Sequence, residues 1–525
     1  MSHSSSPRAG FRQAAAWAFA MSWGQQGIRA ALNLVLAALL GPTVFGTMAL
    51  ALALIQLLQL FLEQGLSAAI IQRQDLDEGH LDSAFWLVLG SSLVLFGVCV
   101  GLRDQWAAMN RLPELAAIVP FLGLTLPIHG LTVVQEALLQ RDMAFRSLAL
   151  RSGVSTLVGG LLGVAAALTH WGVWSLVTQE VAAAAVGVVL LWGISHWRPG
   201  LRLSRRHLVE LMRFSSANLT GRIGLTLEGI AETTLMGAFF GPTTLGIYRL
   251  GRRLMETLLS IATRSIQAVS LPELARLQGR SEALREGLVR CVRASAVLSI
   301  PALLVAAVFG DAIMQAVGPE WSAGGPTLAV LCLLGAIQSL TLILGPLLQA
   351  VFRPGLLSIL IWVRGGVLAG TVVAAGLLFA HASAEIQALS IAGSRAAASL
   401  LVFVPIELAV LLSVGGLPAR TMARVVAPSL AAGLVGALVG FAELRFLPVL
   451  PARFALAVYG PGAGLVGFAT LLMLDRRVAE ATREAVRRIR ARVAPARGAA
   501  ARESQPPALG EASSLEPRAS SGRKP

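Results

Sequence analysis

Long apolar runs separated by short polar connections fill the chain from about residue 14 to residue 474. An apolar run of about 20 residues is what an α-helix needs to cross a bilayer, where no water is present to satisfy a non-helical backbone. The composition agrees with this, because 55% of the residues are hydrophobic and only 14% are charged. The sequence therefore predicts an all-α polytopic membrane protein with about fourteen transmembrane helices.

A short motif occurs twice at an offset of 200 residues. Residues 39–46 read LLGPTVFG and residues 239–246 read FFGPTTLG. Gly-Pro cannot continue a helix, and the second glycine permits a tight start of the next one. We interpret each copy as a turn between two helices, and the offset as the sign of two homologous halves. The predicted domains are an amino-terminal six-helix lobe (1–200), a second six-helix lobe (201–413), two additional transmembrane helices (414–475) and a basic, largely disordered cytoplasmic tail (476–525).

The distribution of arginine among the predicted loops indicates the orientation. With the amino terminus inside, the cytoplasmic segments before residue 475 carry nineteen arginines and the outside loops carry four. Positive residues concentrate in cytoplasmic loops, so we expect both termini to be cytoplasmic and both Gly-Pro turns to lie at the outer face. The same asymmetry accounts for most of the net charge of +15. No nucleic-acid partner is expected, because the chain offers no soluble domain to bind one.

Sequence motifs for catalysis are missing. The seven histidines are scattered without an HExxH pattern, the three cysteines are isolated, and no GxxxxGK[ST] loop is present. These observations argue against a zinc hydrolase, a disulfide framework and direct ATP hydrolysis. We expect a protein that is not an enzyme and that has neither a metal site nor a cofactor.

Charged residues inside the predicted spans are the main candidates for function. The spans contain eight arginines and seven glutamates, of which seven arginines but only four glutamates lie in the second half. A charged side chain in hydrocarbon is costly, so these residues are expected to face protein or a water-filled cavity. The surplus of positive charge in the second half favours an anionic substrate.

The eighth predicted span contains the sequence YRLGRRLME at residues 248–256, which is too polar to face lipid along its whole length. One helical face carries Arg249, Arg253, Arg264 and Glu256. Guanidinium groups bind phosphate oxygens in bidentate fashion, so we interpret this face as a candidate diphosphate site. The remaining candidates are Arg29, Arg222 and Arg364 as cationic cavity residues, and Glu63, Glu232 and Glu256 as acidic or ion-coupling cavity residues.

Two structural interpretations of this span stay open. Arg249 and Arg252 lie within about one turn of its predicted outer end, where long basic side chains can reach the membrane interface. Folding the chain back at Gly241 also gives Glu232 a depth similar to that of Arg253, which would allow a structural ion pair.

Two blocks of sequence carry a family resemblance. The first combines LGPxxFG at residues 40–46 with Gly65-Leu66, IQR at 71–73, Asp75-Leu76 and AFW at 84–86. The second combines FGPxxLGIYRL from Phe240 with LPELARL at 271–277. In this order the chain resembles the oligosaccharide flippases, or polysaccharide biosynthesis proteins of the Wzx type, in the multidrug/oligosaccharidyl-lipid/polysaccharide exporter superfamily.

The resemblance implies two six-helix lobes around a central cavity that opens alternately to each side, with two extra helices outside. It implies a flippase of the bacterial cytoplasmic (inner) membrane. The flippase would move undecaprenyl-diphosphate-linked oligosaccharide units to the periplasmic leaflet for lipopolysaccharide, capsule or exopolysaccharide biosynthesis. The implied partners are that lipid-linked substrate, the bilayer, and a polysaccharide polymerase with its export machinery. Coupling to a proton or sodium gradient is expected.

Two rival functions remain. An ion-coupled multidrug or small-molecule antiporter of the same superfamily would use acidic cavity residues for cationic drugs, and Glu63, Glu136 and Glu180 keep it open. A membrane-embedded glycosyltransferase or ligase would need a large outside loop with catalytic acid or base residues. The predicted outside loops are short.

Overall fold

A computed structural model describes residues 7–62, 66–73, 75–204, 207, 209, 219–277, 281–448, 450–484 and 487. These residues form α-helices joined by short turns, without a β-strand among them. The first half contains α1 (Pro7–Leu62), α2 (Leu66–Gln72), α3 (Glu78–Gly101), α4 (Arg103–Met109), α5 (Glu114–Gly123), α6 (Thr125–Gly130), α7 (Val133–Arg141), α8 (Phe145–Leu168) and α9 (Val173–Ile194). The all-α prediction is confirmed.

The second half begins with the longest described helix. It contains α10 (Leu219–Arg276), α11 (Ser281–Val308), α12 (Gly310–Val317), a 3-10 turn (Pro319–Gly324), α13 (Gly325–Gln338), α14 (Leu344–Ala350), α15 (Pro354–Phe379) and α16 (Ala384–Ala398). A π-helical turn (Ser399–Phe403) then leads to α17 (Val404–Gly415), α18 (Ala419–Phe446) and α19 (Ala452–Leu474).

Ten helices in the described residues are long and apolar enough to cross a membrane, and the bent pair Glu114–Gly130 and Val133–Arg141 makes eleven. Large apolar side chains stay exposed on them, such as Val189 at 71%, Leu401 at 74% and Leu438 at 67%. Such surfaces are stable against lipid tails, so the chain is a multi-pass membrane protein. A count of fourteen spans stays a prediction, and is reached if α1 is divided at Gly41 and both arms of α10 are counted.

Both Gly-Pro motifs interrupt a long helix. The backbone leaves helical geometry at Gly41 (φ 72°, ψ 172°) and at Gly241 (φ 81°, ψ −179°). Glycine adopts a positive φ without the strain that a Cβ would cause. At Gly241 the chain reverses, since Tyr248 contacts Glu232 although a straight helix would separate residues 16 apart by about 24 Å. The predicted helix-to-helix turn is confirmed there, and Gly41 repeats its backbone geometry.

The two turns pack against one another in a reciprocal way. A Cβ added to Gly46 would overlap the carbonyl of Pro242, and a Cβ added to Gly246 would overlap the carbonyl of Pro42. Each motif therefore places its last glycine on the proline of the other motif. This exchange relates the halves of the chain by a local twofold symmetry, in agreement with the repeat in the sequence.

The largest apolar cluster draws on both halves of the chain and extends from Leu36 to Ala392. In it, the indole of Trp321 donates a hydrogen bond to the carbonyl of Ala37 (2.8 Å) and packs edge-on against Phe45. By their contacts, the described residues up to Phe468 form one compact unit, and those from Ala469 onward belong to a second. The division of the first unit into lobes at residues 200 and 413 stays a prediction.

Residues 476–484 of the second unit are helical, and Thr482 donates its hydroxyl to the carbonyl of Val478 (2.8 Å). Most of the predicted disordered tail, residues 488–525, lies outside the described residues.

Candidate functional site

A cavity of about 360 Å³ opens between the two halves of the first unit. Its walls come from α1, α9 and α10, and its polar lining consists of Asn33, Gln56, Gln179, Glu180, Glu232, Thr233, Tyr248, Arg249, Arg252, Arg253 and Glu256. A second cavity of about 400 Å³ shares Gln56 and Glu180 with the first and extends to Arg29. The two cavities together form a polar interior in a chain that is otherwise apolar.

The reversal of α10 at Gly241 creates the second-half wall. The first arm of α10 (219–240) contributes Glu232, and the second arm (242–276) contributes Arg249 and Arg253. Residues four apart in a helix lie on the same face, so Arg249 and Arg253 point in one direction. Because the chain reverses at this turn, the carboxylate of the first arm and the guanidinium groups of the second arm line the same wall of the cavity.

Glu232 is the centre of a buried ion-pair network. Its side chain is 6% exposed and accepts hydrogen bonds from Tyr248 Oη (2.7 Å) and Arg395 Nη1 (2.6 Å). A third bond comes from Arg252 Nη1. A buried carboxylate is tolerated when it is paired and hydrogen-bonded, as this one is by three donors. The ion pair proposed from the sequence between Glu232 and Arg253 is replaced by pairs with Arg252 and Arg395.

A second carboxylate extends the network towards α15. Glu228 lies 3.2 Å from Arg364 Nη2 and 3.7 Å from Arg395 Nη2. Arg364 also lies 3.8 Å from Glu407, and it lines neither cavity. The structure therefore places this candidate cavity residue in an ion-pair network that joins α10, α15, α16 and α17.

Three of the sequence-predicted arginines, Arg29, Arg249 and Arg253, lie at the cavities and have no carboxylate within 4 Å among the described residues. Arg249 Nη1 donates to the neutral hydroxyl of Thr233 (2.7 Å). Arg253 is exposed to the cavity, and it interacts electrostatically with Arg29 and with Glu180. Arg29 belongs to the first half and Arg253 to the second. The cavities therefore combine guanidinium groups from both halves, as required for an anionic ligand.

The other predicted site residues have different positions. Glu256 lines the first cavity and accepts a hydrogen bond from Arg252 Nε (2.7 Å). The side chains of Arg222 and Arg264, and residue Glu63, lie outside the described part of the structure. The predicted grouping of Arg264 with Arg249 and Arg253 stays a prediction.

Sequence reasoning did not select several residues that shape the site. Arg395 and Glu228 complete the ion-pair network, and Asn33, Gln56 and Gln179 line the cavity with amides. Each is a polar residue inside an apolar span, and that property is the signal that would have identified it. In the second cavity, Arg151 pairs with Glu136 (2.7 Å).

Comparison with known proteins gives a family match. Residues 35–323 match the family described as "Polysaccharide biosynthesis protein". The succinoglycan biosynthesis transport protein ExoT of Rhizobium meliloti is 24% identical over 318 residues, which cover 60% of this chain and 64% of that protein. The lipopolysaccharide biosynthesis protein WzxC of Escherichia coli is 26% identical over 328 residues, covering 61% of this chain and 65% of the relative. The chain thus spans less than two thirds of either relative.

Solved structures share the fold. The lipid II flippase MurJ, in an inward closed conformation, superimposes with a TM-score of 0.68 at 12% identity, covering 87% of this chain and 98% of that chain. An inward-facing multidrug resistance transporter of the MATE family superimposes with a TM-score of 0.57 at 14% identity, covering 73% and 94%. At these identities the likeness concerns the architecture, which flippases and multidrug transporters have in common.

Proposed function

The chain belongs to the polysaccharide biosynthesis protein family, and from this membership we propose that it is a flippase for lipid-linked oligosaccharides. In this proposal it moves undecaprenyl-diphosphate-linked oligosaccharide units from the cytoplasmic to the periplasmic leaflet of the bacterial inner membrane. The units serve the synthesis of an extracellular polysaccharide. The names of the relatives support this, since one is a succinoglycan transport protein and another a lipopolysaccharide biosynthesis protein.

The arginines that form no ion pair at the cavities are the observation that carries the proposal. Among the described residues, no carboxylate lies within 4 Å of Arg29, Arg249 or Arg253, whereas Arg364 and Arg395 form close ion pairs. An arginine that pairs with a carboxylate holds two helices together. A guanidinium group without such a pair is available to bind diphosphate oxygens. Among the described residues that line the cavities without an ion pair, three are arginines and one, Glu180, is a carboxylate. The arrangement therefore favours an anionic substrate over the alternative, an ion-coupled multidrug or small-molecule antiporter.

Each part of the proposed substrate has a suitable environment. The diphosphate binds between Arg29, Arg249 and Arg253, and the sugars contact the amides of Asn33 and Gln56 in the same cavities. The prenyl chain remains in the lipid, since transferring it through a polar cavity would expose apolar surface to water. Binding at one face and release at the other follow from alternating rocking of the two halves.

In the proposal, contact between the two Gly-Pro turns closes the transporter on one side of the membrane. The loop charges support a periplasmic position for both turns, and their reciprocal packing would close the cavity on that side. Opening requires Gly46 to separate from Pro242 and Gly246 from Pro42. Both termini are cytoplasmic in this orientation, and the two lobes correspond to residues 1–200 and 201–413. A polysaccharide polymerase and export machinery would receive the product.

Acidic residues at the cavity are available for ion coupling in the proposal. Glu232 is bound by three donors and is fixed, while Glu256 keeps a side-chain exposure of 53%. Glu180 interacts electrostatically with Arg29 and Arg253. When an anion binds to the arginines, Glu180 and Glu256 can lose their interactions with those arginines. Each carboxylate could then bind a proton or a sodium ion, which would link ion binding to substrate binding.

A transport assay tests the proposal. The full chain is reconstituted in proteoliposomes with a fluorescent undecaprenyl-diphosphate oligosaccharide, and outward movement is measured against liposomes without protein. We expect protein-dependent movement of the lipid-linked sugar. Export of a cationic dye without movement of the lipid-linked sugar would contradict the flippase proposal and favour the antiporter.

A further inference from the structure

The segment that follows α9 is fixed to the amino-terminal end of α3. The backbone N–H of Gly200 donates to Asp82 Oδ1 (2.8 Å), and its carbonyl accepts from the indole of Trp86 (2.7 Å). The backbone N–H of Ser204 donates to Ser83 Oγ (2.9 Å). Asp82 and Ser83 are buried, so these bonds are protected from water. They hold the linker between the two halves against the first half.

This docking brings His207 of the linker to two residues at the start of α3. The imidazole rings of His207 and His80 have centroids 4.1 Å apart. Asp77 Oδ1 lies 2.6 Å from His80 Nδ1, and Asp77 Oδ2 lies 3.8 Å from His207 Nε2. One ligand atom from each of the three residues lies within 4.8 Å of those of the other two. The sequence predicts no metal site because the histidines are scattered along the chain, but the fold brings two of them together here.

Further observations describe how closely His207 packs at this cluster. His207 Nδ1 is buried, and no described residue offers it a hydrogen-bond partner. Gly79 lies so close that an added Cβ would approach the His207 ring to 2.8 Å, which means that a glycine is needed for the ring to reach its place. The backbone N–H of His80 donates to Asp77 Oδ1 (2.8 Å), which helps to hold the carboxylate next to the two rings.

The three side chains match the preference of zinc. Zn²⁺ binds imidazole nitrogens and carboxylate oxygens at about 2.0–2.2 Å in a tetrahedral arrangement, and it accepts water as the fourth ligand. Two donor atoms bound to the same zinc ion are therefore about 3.3 Å apart. In this cluster, His80 Nδ1 and Asp77 Oδ1 are 2.6 Å apart, and one donor atom from each of the three residues lies within 4.8 Å of the other two. Small side-chain shifts would therefore bring all three to bonding distance. Nitrogen ligands of this kind disfavour Mg²⁺ and Ca²⁺, which prefer all-oxygen sites. Access comes from a surface cleft lined by Asp77, Arg202 and His207.

We propose that Asp77, His80 and His207 form a zinc-binding site that joins the linker between the two halves to the amino-terminal end of α3. The ion adds a coordinate cross-link to hydrogen bonds that already hold the linker. The site lies apart from the cationic cavities and shares no residue with them, so the zinc proposal stands independently of the transport activity.

Metal binding is measured on the full chain in nanodiscs, purified with a histidine-free affinity tag and freed of metal with a chelator. Zn²⁺ is titrated in competition with a chromophoric chelator. We expect one ion per chain, and an affinity that falls by about tenfold or more in His80→Ala and in His207→Ala, since even the loss of an outer-shell partner costs about that much. The matched control is His381→Ala, which removes an exposed histidine of a different loop and leaves the affinity unchanged. Binding that is absent in the wild type, or equal in wild type and His207→Ala, overturns the proposal.

Two further measurements separate loss of the site from loss of the fold. Zn²⁺ should raise the melting temperature of the wild type, followed by tryptophan fluorescence, and should not raise that of His207→Ala. In metal-free buffer the two proteins should have similar melting temperatures. If the variants do not fold, X-ray absorption of the zinc-loaded wild type decides the matter. If the atoms bound to zinc are nitrogen and oxygen, with the scattering pattern of imidazole rings, the site is supported. If they are sulfur atoms, from Cys99, Cys291 or Cys332, the proposal is overturned.

Discussion

The side-chain hydroxyls of Thr43 and Thr243 lie 2.9 Å apart, although 200 residues separate them in the chain. Each threonine follows the proline of its own Gly-Pro motif, so the two occupy equivalent positions. A hydrogen bond between equivalent residues lies on the local twofold axis that the reciprocal contacts of Gly46 and Gly246 define. The repeat in the sequence thus corresponds to a symmetric contact in three dimensions.

A disulfide at this contact should lock the protein. In the double variant Thr43→Cys/Thr243→Cys, the two Sγ atoms are expected to come within bonding reach, because hydroxyls in contact imply Cβ atoms about 4–5 Å apart. Oxidation should give an intramolecular cross-link, seen as a mobility shift on a non-reducing gel, and should block transport until a reductant is added. The single variant Thr43→Cys is the control. A cross-linked protein that still transports at the wild-type rate would show that the turns do not separate during the cycle.

Gly46 and Gly246 should not tolerate a methyl group. In Gly46→Ala the new Cβ overlaps the carbonyl of Pro242, and relieving such an overlap costs about 1–3 kcal/mol. We expect a lower melting temperature in detergent and a weaker closed contact. The control is Gly90→Ala in α3, where no atom lies within 4 Å of an added Cβ. That variant should gain about 0.5–1 kcal/mol from the better helix propensity of alanine. Equal stability of the two variants would contradict the close packing of the turns.

The sequence predicts features that depend on neighbouring residues better than features that depend on packing. The turn at Gly241 follows from glycine and proline alone, and the shared direction of Arg249 and Arg253 follows from helical spacing. The pairing of Glu232 with Arg395 does not, because 163 residues lie between them and their contact depends on how α16 packs against α10. For the same reason, similar depth in the membrane suggests Arg253 as a partner of Glu232, whereas the partner on that arm is Arg252.

Loss of Glu232 should destabilise the second half more than loss of any other cavity carboxylate. In Glu232→Gln, the buried Arg395 and the half-buried Arg252 lose their principal counter-charge. Breaking a buried pair on one side costs about 3–5 kcal/mol, which thermal unfolding in detergent will reveal as a clear drop in melting temperature.

Glu256→Gln is the matched control for Glu232→Gln, because it removes an equal charge from the same helix at an exposed pair. An exposed pair of this kind contributes about 0–1 kcal/mol. Similar melting temperatures of the two variants would mean that the network around Glu232 contributes little to stability.

Substitution of Arg249 or Arg253 should impair transport without impairing the fold. Arg249→Ala and Arg253→Ala each remove a guanidinium group that has no carboxylate within 4 Å among the described residues, so neither variant breaks a close ion pair there. A hydrogen bond to a charged group contributes about 1.5–3 kcal/mol, and we expect each variant to slow flipping of the lipid-linked oligosaccharide by about tenfold or more. Arg445→Ala removes an exposed arginine at the end of α18 and should transport like the wild type. Wild-type flipping in both cavity variants would show that the diphosphate binds elsewhere. A melting temperature that falls in these variants as far as in Glu232→Gln would show that Arg249 and Arg253 have a structural role instead.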